Sequence, residues 1–109
     1  MKRVLFDENM PRKLRRDLTE FFIRTAQEQG WSSFRNGELI KRAAGEFDVL
    51  VTIDQRMRYQ QNVARLPIGI VVIEVRDARI VFLRALLPEL RAAIAEVTVG
   101  EVRAVGSHP

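Results

Sequence analysis

The sequence predicts an α/β domain in which a mainly parallel sheet of about five strands is covered by helices on both faces. Three observations carry this expectation. Arg3 to Phe6 and Phe47 to Ile53 are short apolar runs that each stop at an aspartate, as buried parallel strands do when their carboxyl ends open onto a site. A third run, Ile68 to Val75, repeats the pattern, and segments of helical length separate all three. The chain has 109 residues, 47% of them hydrophobic, which is enough for one core, so a single domain over residues 1–109 is expected.

Taken in order, the first run is followed by Met10, Leu14, Leu18 and Phe21 or Phe22. That spacing predicts an amphipathic helix, with Asp7 or Asn9 as cap and Pro11 in its first turn. Phe22 to Ala26 reads as a second strand, and Gln29 to Arg35 as a loop. Asn36 then caps a helix carrying Leu39, Ile40, Ala43 and Ala44 up to Gly45. After Asp54 the polar stretch Gln55 to Ala64 is expected to be helical. Asp77 caps a long helix bearing Ile80, Leu83, Leu86, Leu87, Leu90 and Ile94, which Pro88 must kink or divide. Gly100 precedes a last strand, Glu101 to Val105, and Gly106 to Pro109 form a tail.

Composition narrows the chemistry. There is no cysteine, which excludes thiolate catalysis and Cys-ligated zinc, and the single histidine, His108, falls in the tail, which argues against a His-based metal site or triad. Carboxylates, hydroxyls, amides and Lys/Arg remain. The apolar run after Lys2-Arg3 is too short for a signal peptide, and the longest uncharged stretch, Leu66 to Ile73, is far below the about 20 residues of a membrane span. A cytoplasmic protein away from the membrane is expected. Eighteen basic against 14 acidic groups leave a net charge of +4, which favours a polyanionic partner or serves solubility alone.

If the strand order is 2-1-3-4-5, the first and third strands are neighbours and their carboxyl ends flank the switch point, where Asp7 and Asp54 face each other. Asp48 opens the third strand and falls at its other end, roughly 20 Å from Asp54. Glu38, in the first turn of the helix after Asn36, starts near the same edge and can complete a cluster, or simply complements the helix dipole. Asp7 and Asp54 are equally good N-caps taken singly; their convergence is what favours a site, because close carboxylates repel unless a cation neutralises them. Three carboxylates suit Mg²⁺ or Mn²⁺ and metal-assisted phosphodiester hydrolysis. Arg12, Lys13 and Arg16 lie on the helix leaving Asp7, as a rail for a nucleic-acid backbone or as a solvated face. Trp31 and Phe34 are candidates for base stacking, with packing on the sheet edge as the stronger alternative. Tyr59 with Gln60-Gln61-Asn62 is either a phosphate- or amide-recognising patch or a polar surface.

Val4-Leu5-Phe6-Asp7-Glu8-Asn9-Met10-Pro11, Asn36-Gly37-Glu38-Leu39-Ile40 and Asp48-Val49-Leu50-Val51-Thr52-Ile53-Asp54 together resemble the short PIN-like family of bacterial toxin-antitoxin modules, over residues 2–75. The resemblance implies a three-layer α/β/α fold and a Mg²⁺- or Mn²⁺-dependent ribonuclease silenced by a small antitoxin protein, and extends to a homodimer. It places catalytic metal ligands at Asp7, Glu38 and Asp54, with Glu8, Asn9 and Asn36 in support and RNA contacts at Arg12, Lys13, Arg16 and Arg56. Many relatives carry an acid in place of Asn36 and an aspartate in place of Arg56. Arg56 therefore either contacts the scissile phosphate or marks a domain that binds RNA or protein without cutting.

A two-component receiver domain needs a lysine after its last strand, and Lys2, Lys13 and Lys41 are the only lysines. The six glycines form neither a dinucleotide fingerprint nor a P-loop.

Overall fold

The structure is a computed structural model and describes residues 1–59, 65 and 67–106. Five strands form one all-parallel sheet in the order β2-β1-β3-β4-β5: β1 (Arg3–Phe6), β2 (Phe22–Thr25), β3 (Val49–Thr52), β4 (Gly69–Glu74) and β5 (Val102–Gly106). Helices α1 (Ala26–Gln29), α2 (Asn36–Ala44), α3 (Ile80–Ala85) and α4 (Leu87–Glu96) connect them, with 3₁₀ helices at Arg12–Asp17 and Gln55–Tyr59.

Alternation along the strands builds the three layers. Val4, Phe6, Val49, Val51, Val71 and Ile73 point to one face, where Leu14, Leu18, Leu83, Leu90 and Ile94 cover them. Leu5, Leu50, Ile70 and Val72 point to the other, under Leu39, Ile40, Ala43 and Met57. Both faces are apolar because both are covered, which is why the strands read as unbroken hydrophobic runs. Gly69 opens β4 where a Cβ would stand 2.9 Å from the Thr98 carbonyl oxygen, so no larger residue fits without displacing backbone. At the closed end Lys2 Nζ donates to the carbonyls of Ile94 and Ala95 at 3.0 and 2.8 Å, placing a cation at the C-terminus of α4.

Local structure departs from expectation at several places. The helix after β1 is a six-residue 3₁₀ segment beginning after Pro11, with no side-chain cap, and Phe22 already lies in β2. The chain must return along the whole of β1 before β2 starts, and a 3₁₀ helix rises about 2.0 Å per residue against 1.5 Å, covering the distance in fewer residues. Met10, Leu14 and Leu18 are buried as their spacing predicts. A short helix, α1, begins at Ala26, the last residue of the expected strand, and runs to Gln29, where the expected loop starts; it is formed by a capping box in which Thr25 Oγ1 accepts from the Glu28 N–H while Glu28 Oε1 accepts from the Thr25 N–H. It ends at Gly30 with φ of 76°. The cap of α2 is Arg35, leaving Asn36 as its first residue. Asp77 does not cap α3; its Oδ1 accepts from the Arg79 N–H, and Arg79 is the cap. The break at Pro88 is as expected, since Pro88 sits in the first turn of α4 and separates it from α3. The polar stretch after Asp54 is a 3₁₀ helix through Tyr59, while Gln60 to Ala64 lie outside the described residues; of the expected tail, Gly106 instead ends β5, paired with Glu74, and Ser107 to Pro109, His108 among them, lie outside the described residues.

Candidate functional site

β1 and β3 are in register from Val4–Val49 to Phe6–Val51, so the residues that follow them emerge side by side at the switch point. The Asp7 N–H donates to the Val51 carbonyl at 3.1 Å, extending the ladder by one bond and fixing where the carboxylate leaves the sheet. Thr52 ends β3 beside it, fully buried. Its hydroxyl donates to Asp7 Oδ2 and accepts from the Asp54 N–H at 2.9 Å, so one side chain orients both acids. Asp7 Oδ1 accepts from the Asn9 N–H at 3.1 Å.

The two carboxylates have opposite electrostatics. Burial pushes the Asp7 carboxyl above the ordinary range against the hydrogen bonds from Thr52 and Asn9, and the negative charge of Asp54 adds to the rise. Asp54 is held at about 2, first by the Arg56 side chain and also by hydrogen bonds from the Arg56 backbone and Asn36. Arg56 donates through its backbone N–H and Nε to Oδ1, at 2.9 and 3.1 Å, and through its terminal nitrogen to Oδ2 at 2.9 Å. Asn36 Nδ2 donates to Oδ2 at 3.2 Å. Four donors meet the roughly four lone-pair positions of a carboxylate, so Asp54 is saturated.

The other residues singled out by sequence divide clearly. Asn36, the first residue of α2 rather than its cap, joins the site through its side chain. Glu38 is exposed and pairs with Arg42 one turn along α2 at 3.2 Å. Among the described residues no three His, Asp or Glu side chains gather as a metal-ligand set, so the expected triad of Asp7, Glu38 and Asp54 is assembled only as the Asp7–Asp54 pair. Glu8 and Asn9 are exposed; the Glu8 carbonyl accepts from Gln27 Nε2, and Asn9 contributes its backbone. Arg12, Lys13 and Arg16 are exposed, and with Arg15 they line a concavity of about 400 Å³. Trp31 and Phe34 pack on the core, Trp31 edge-on to Phe47 at 6.1 Å and Phe34 under the Arg42 guanidinium. They are packing residues in this fold. Tyr59 is 78% exposed, and Gln60-Gln61-Asn62 lie outside the described residues. Thr52 was not singled out by sequence reasoning, although a hydroxyl closing an otherwise apolar strand was a readable signal.

Mg²⁺ and Mn²⁺ favour oxygen donors, and Mg²⁺ is commonly held by one or two carboxylates plus water and substrate phosphate. Asp7 and Asp54 match that donor set in type and number, provided Arg56 gives up its hold on Asp54.

Comparison of the chain with protein-family models, with curated proteins and with solved structures finds no match. Among the described residues no helix is long and apolar enough to cross a membrane.

Proposed function

We propose that the protein is a PIN-like, metal-dependent ribonuclease, a toxin component of a toxin-antitoxin module acting in the cytoplasm on RNA. The observation that carries this reading is the convergence of Asp7 and Asp54 at the β1/β3 switch point, close enough for one charge to raise the pKa of the other. A fold retains such a pair at an open sheet edge mainly where a cation is to be bound. Asp7 and Asp54 would hold Mg²⁺ or Mn²⁺, which when bound supplies Lewis-acid activation for phosphodiester hydrolysis. Thr52 and Asn36 position the two acids, and Arg12, Lys13 and Arg16 bind the RNA backbone. A small antitoxin and a second copy of the chain are the protein partners this reading implies. Glu38, engaged by Arg42, is not required when two carboxylates and water complete the coordination.

A second reading is a PIN-like module that binds RNA or protein without cutting, and the saturation of Asp54 by Arg56 favours it. Labelled single-stranded RNA incubated with purified protein and Mg²⁺ or Mn²⁺ decides between them. Cleavage should disappear with EDTA, in Asp54→Asn and in Asp7→Asn, each variant remaining folded. Intact RNA under all conditions, with no Mn²⁺ heat in calorimetry, selects the second reading.

A further inference from the structure

We propose that Arg56 is a displaceable latch: its guanidinium closes Asp54 to a divalent cation until an RNA phosphate draws it into the adjoining concavity. This role rests on the metal-site reading above.

The asymmetry of the pair supports it. The Asp54 side chain is 10% exposed and Arg56 84% exposed. The Asp54 backbone is fixed through its N–H to the Thr52 hydroxyl, and its carboxylate is held on the side away from Arg56 by Asn36 Nδ2 at 3.2 Å. Arg56 has no such anchor. Among the described residues its guanidinium bonds to Asp54 alone, and three methylenes let it swing without moving the backbone. Ion pairs with one partner in solvent are weak, so the closed state is easily exchanged.

The competitor is specified by what lies next to the latch. Arg35, Asn36, Gly37 and Arg56 line a concavity of about 360 Å³. Arg35 is exposed and makes no ion pair among the described residues. Two guanidinium groups around one concavity suit a phosphodiester, which a guanidinium grips with the same bidentate geometry it uses on a carboxylate. Transfer of Arg56 to phosphate frees two bonds on Asp54, one on each oxygen, where a cation can approach. Binding of RNA therefore raises metal affinity, and by linkage the metal raises RNA affinity by the same factor. A cation in the absence of RNA meets a guanidinium already in place, which keeps the site idle without substrate.

Calorimetric titration of Mn²⁺ tests the latch on wild type, Arg56→Ala and Asp54→Asn, each with and without a saturating short phosphorothioate RNA, the Mn²⁺ heat of the RNA alone being subtracted. Wild type should bind Mn²⁺ about tenfold more tightly with RNA. Arg56→Ala should bind about tenfold more tightly than wild type without RNA and gain nothing from it. Equal Mn²⁺ affinity in wild type and Arg56→Ala, lost in Asp54→Asn, overturns the latch and leaves the metal site standing. Absence of any Asp54-dependent Mn²⁺ binding overturns both.

Discussion

Asp48 and Asp54 flank the same four-residue strand, and each lies against an arginine, yet they do different work. Asp48, at the amino end of β3, accepts from the Arg3 N–H at 2.9 Å and reaches the Arg3 side chain only at 3.9 Å, with 46% of its own side chain in solvent. Asp54, at the carboxyl end, is nine-tenths covered and saturated by four donors. The difference is one of position in a parallel sheet. At the amino end the chains arrive from solvent-facing turns, and a lone acid is a surface group that ties β1 to β3. At the carboxyl end two neighbouring strands release their chains in opposite directions, leaving a crevice where a second acid, Asp7, already sits. Residue type alone does not make a site; depth and neighbours do.

The contrast is sharpest at Thr52. Replacing it with valine keeps the strand but leaves Asp7 Oδ2 and the Asp54 N–H without their partner. Thr52→Val should destabilise the fold by about 3 kcal/mol in urea denaturation, the cost of two deprived polar groups at a buried position. A loss below about 1 kcal/mol would mean that water replaces the hydroxyl and that the end of β3 is wetter than its burial implies. A smaller effect separates the two aspartates by pH. The folded pKa of Asp54, about 2, lies below the unfolded value of about 3.9, so its contribution is complete above pH 4 and is lost as pH falls toward 2. Stability measured from pH 5 to 2 should fall less steeply in Asp54→Asn than in wild type, the arginine-paired carboxyls of Glu20, Glu28, Asp77 and Glu101, also held below their ordinary values, keeping the rest of the acid limb. The Asp54 share should be on the order of 1 kcal/mol, since the partner guanidinium is exposed and screened. Asp7 acts with the opposite sign: its raised pKa means the folded state holds the proton more tightly, so this group's contribution falls as pH rises above about 4. The smallest change is expected at Asp48. Asp48→Asn should alter stability by less than about 0.5 kcal/mol and leave the acid limb of the wild-type profile in place. An acid limb made shallower in Asp48→Asn and unchanged in Asp54→Asn would reverse the assignment of the two ends.

Much of the sheet was legible from residue order. β1, β3 and β4 are apolar on both faces, and continuous runs of that kind leave little choice but a covered parallel sheet. The division at Pro88 was legible because proline has no amide hydrogen to give to a helix interior. The 3₁₀ form of Arg12–Asp17 was not, because the spacing of Met10, Leu14 and Leu18 fits an α-helix, whereas the rise required depends on where β2 begins. Asn36 and Glu38 show the same limit at the site. Both lie in the first turn of α2, and sequence spacing cannot say which one faces Asp54. In the fold Asn36 does, and Glu38 turns outward to Arg42.

The sequence by itself determined the alternation of strands and helices, the absence of cysteine thiols, and the placing of Asp7 and Asp54 at strand ends, because these follow from local hydrophobic pattern and composition. Only the tertiary structure decided that the two acids share one threonine hydroxyl, that Arg56 rather than solvent faces Asp54, and that Glu38 stands apart. The first of these joins Asp7 and Thr52 across 45 residues through strand pairing, which no periodicity along the chain encodes; the Arg56–Asp54 and Glu38–Arg42 pairs are local, but which way those side chains turn is set by what the fold packs around them.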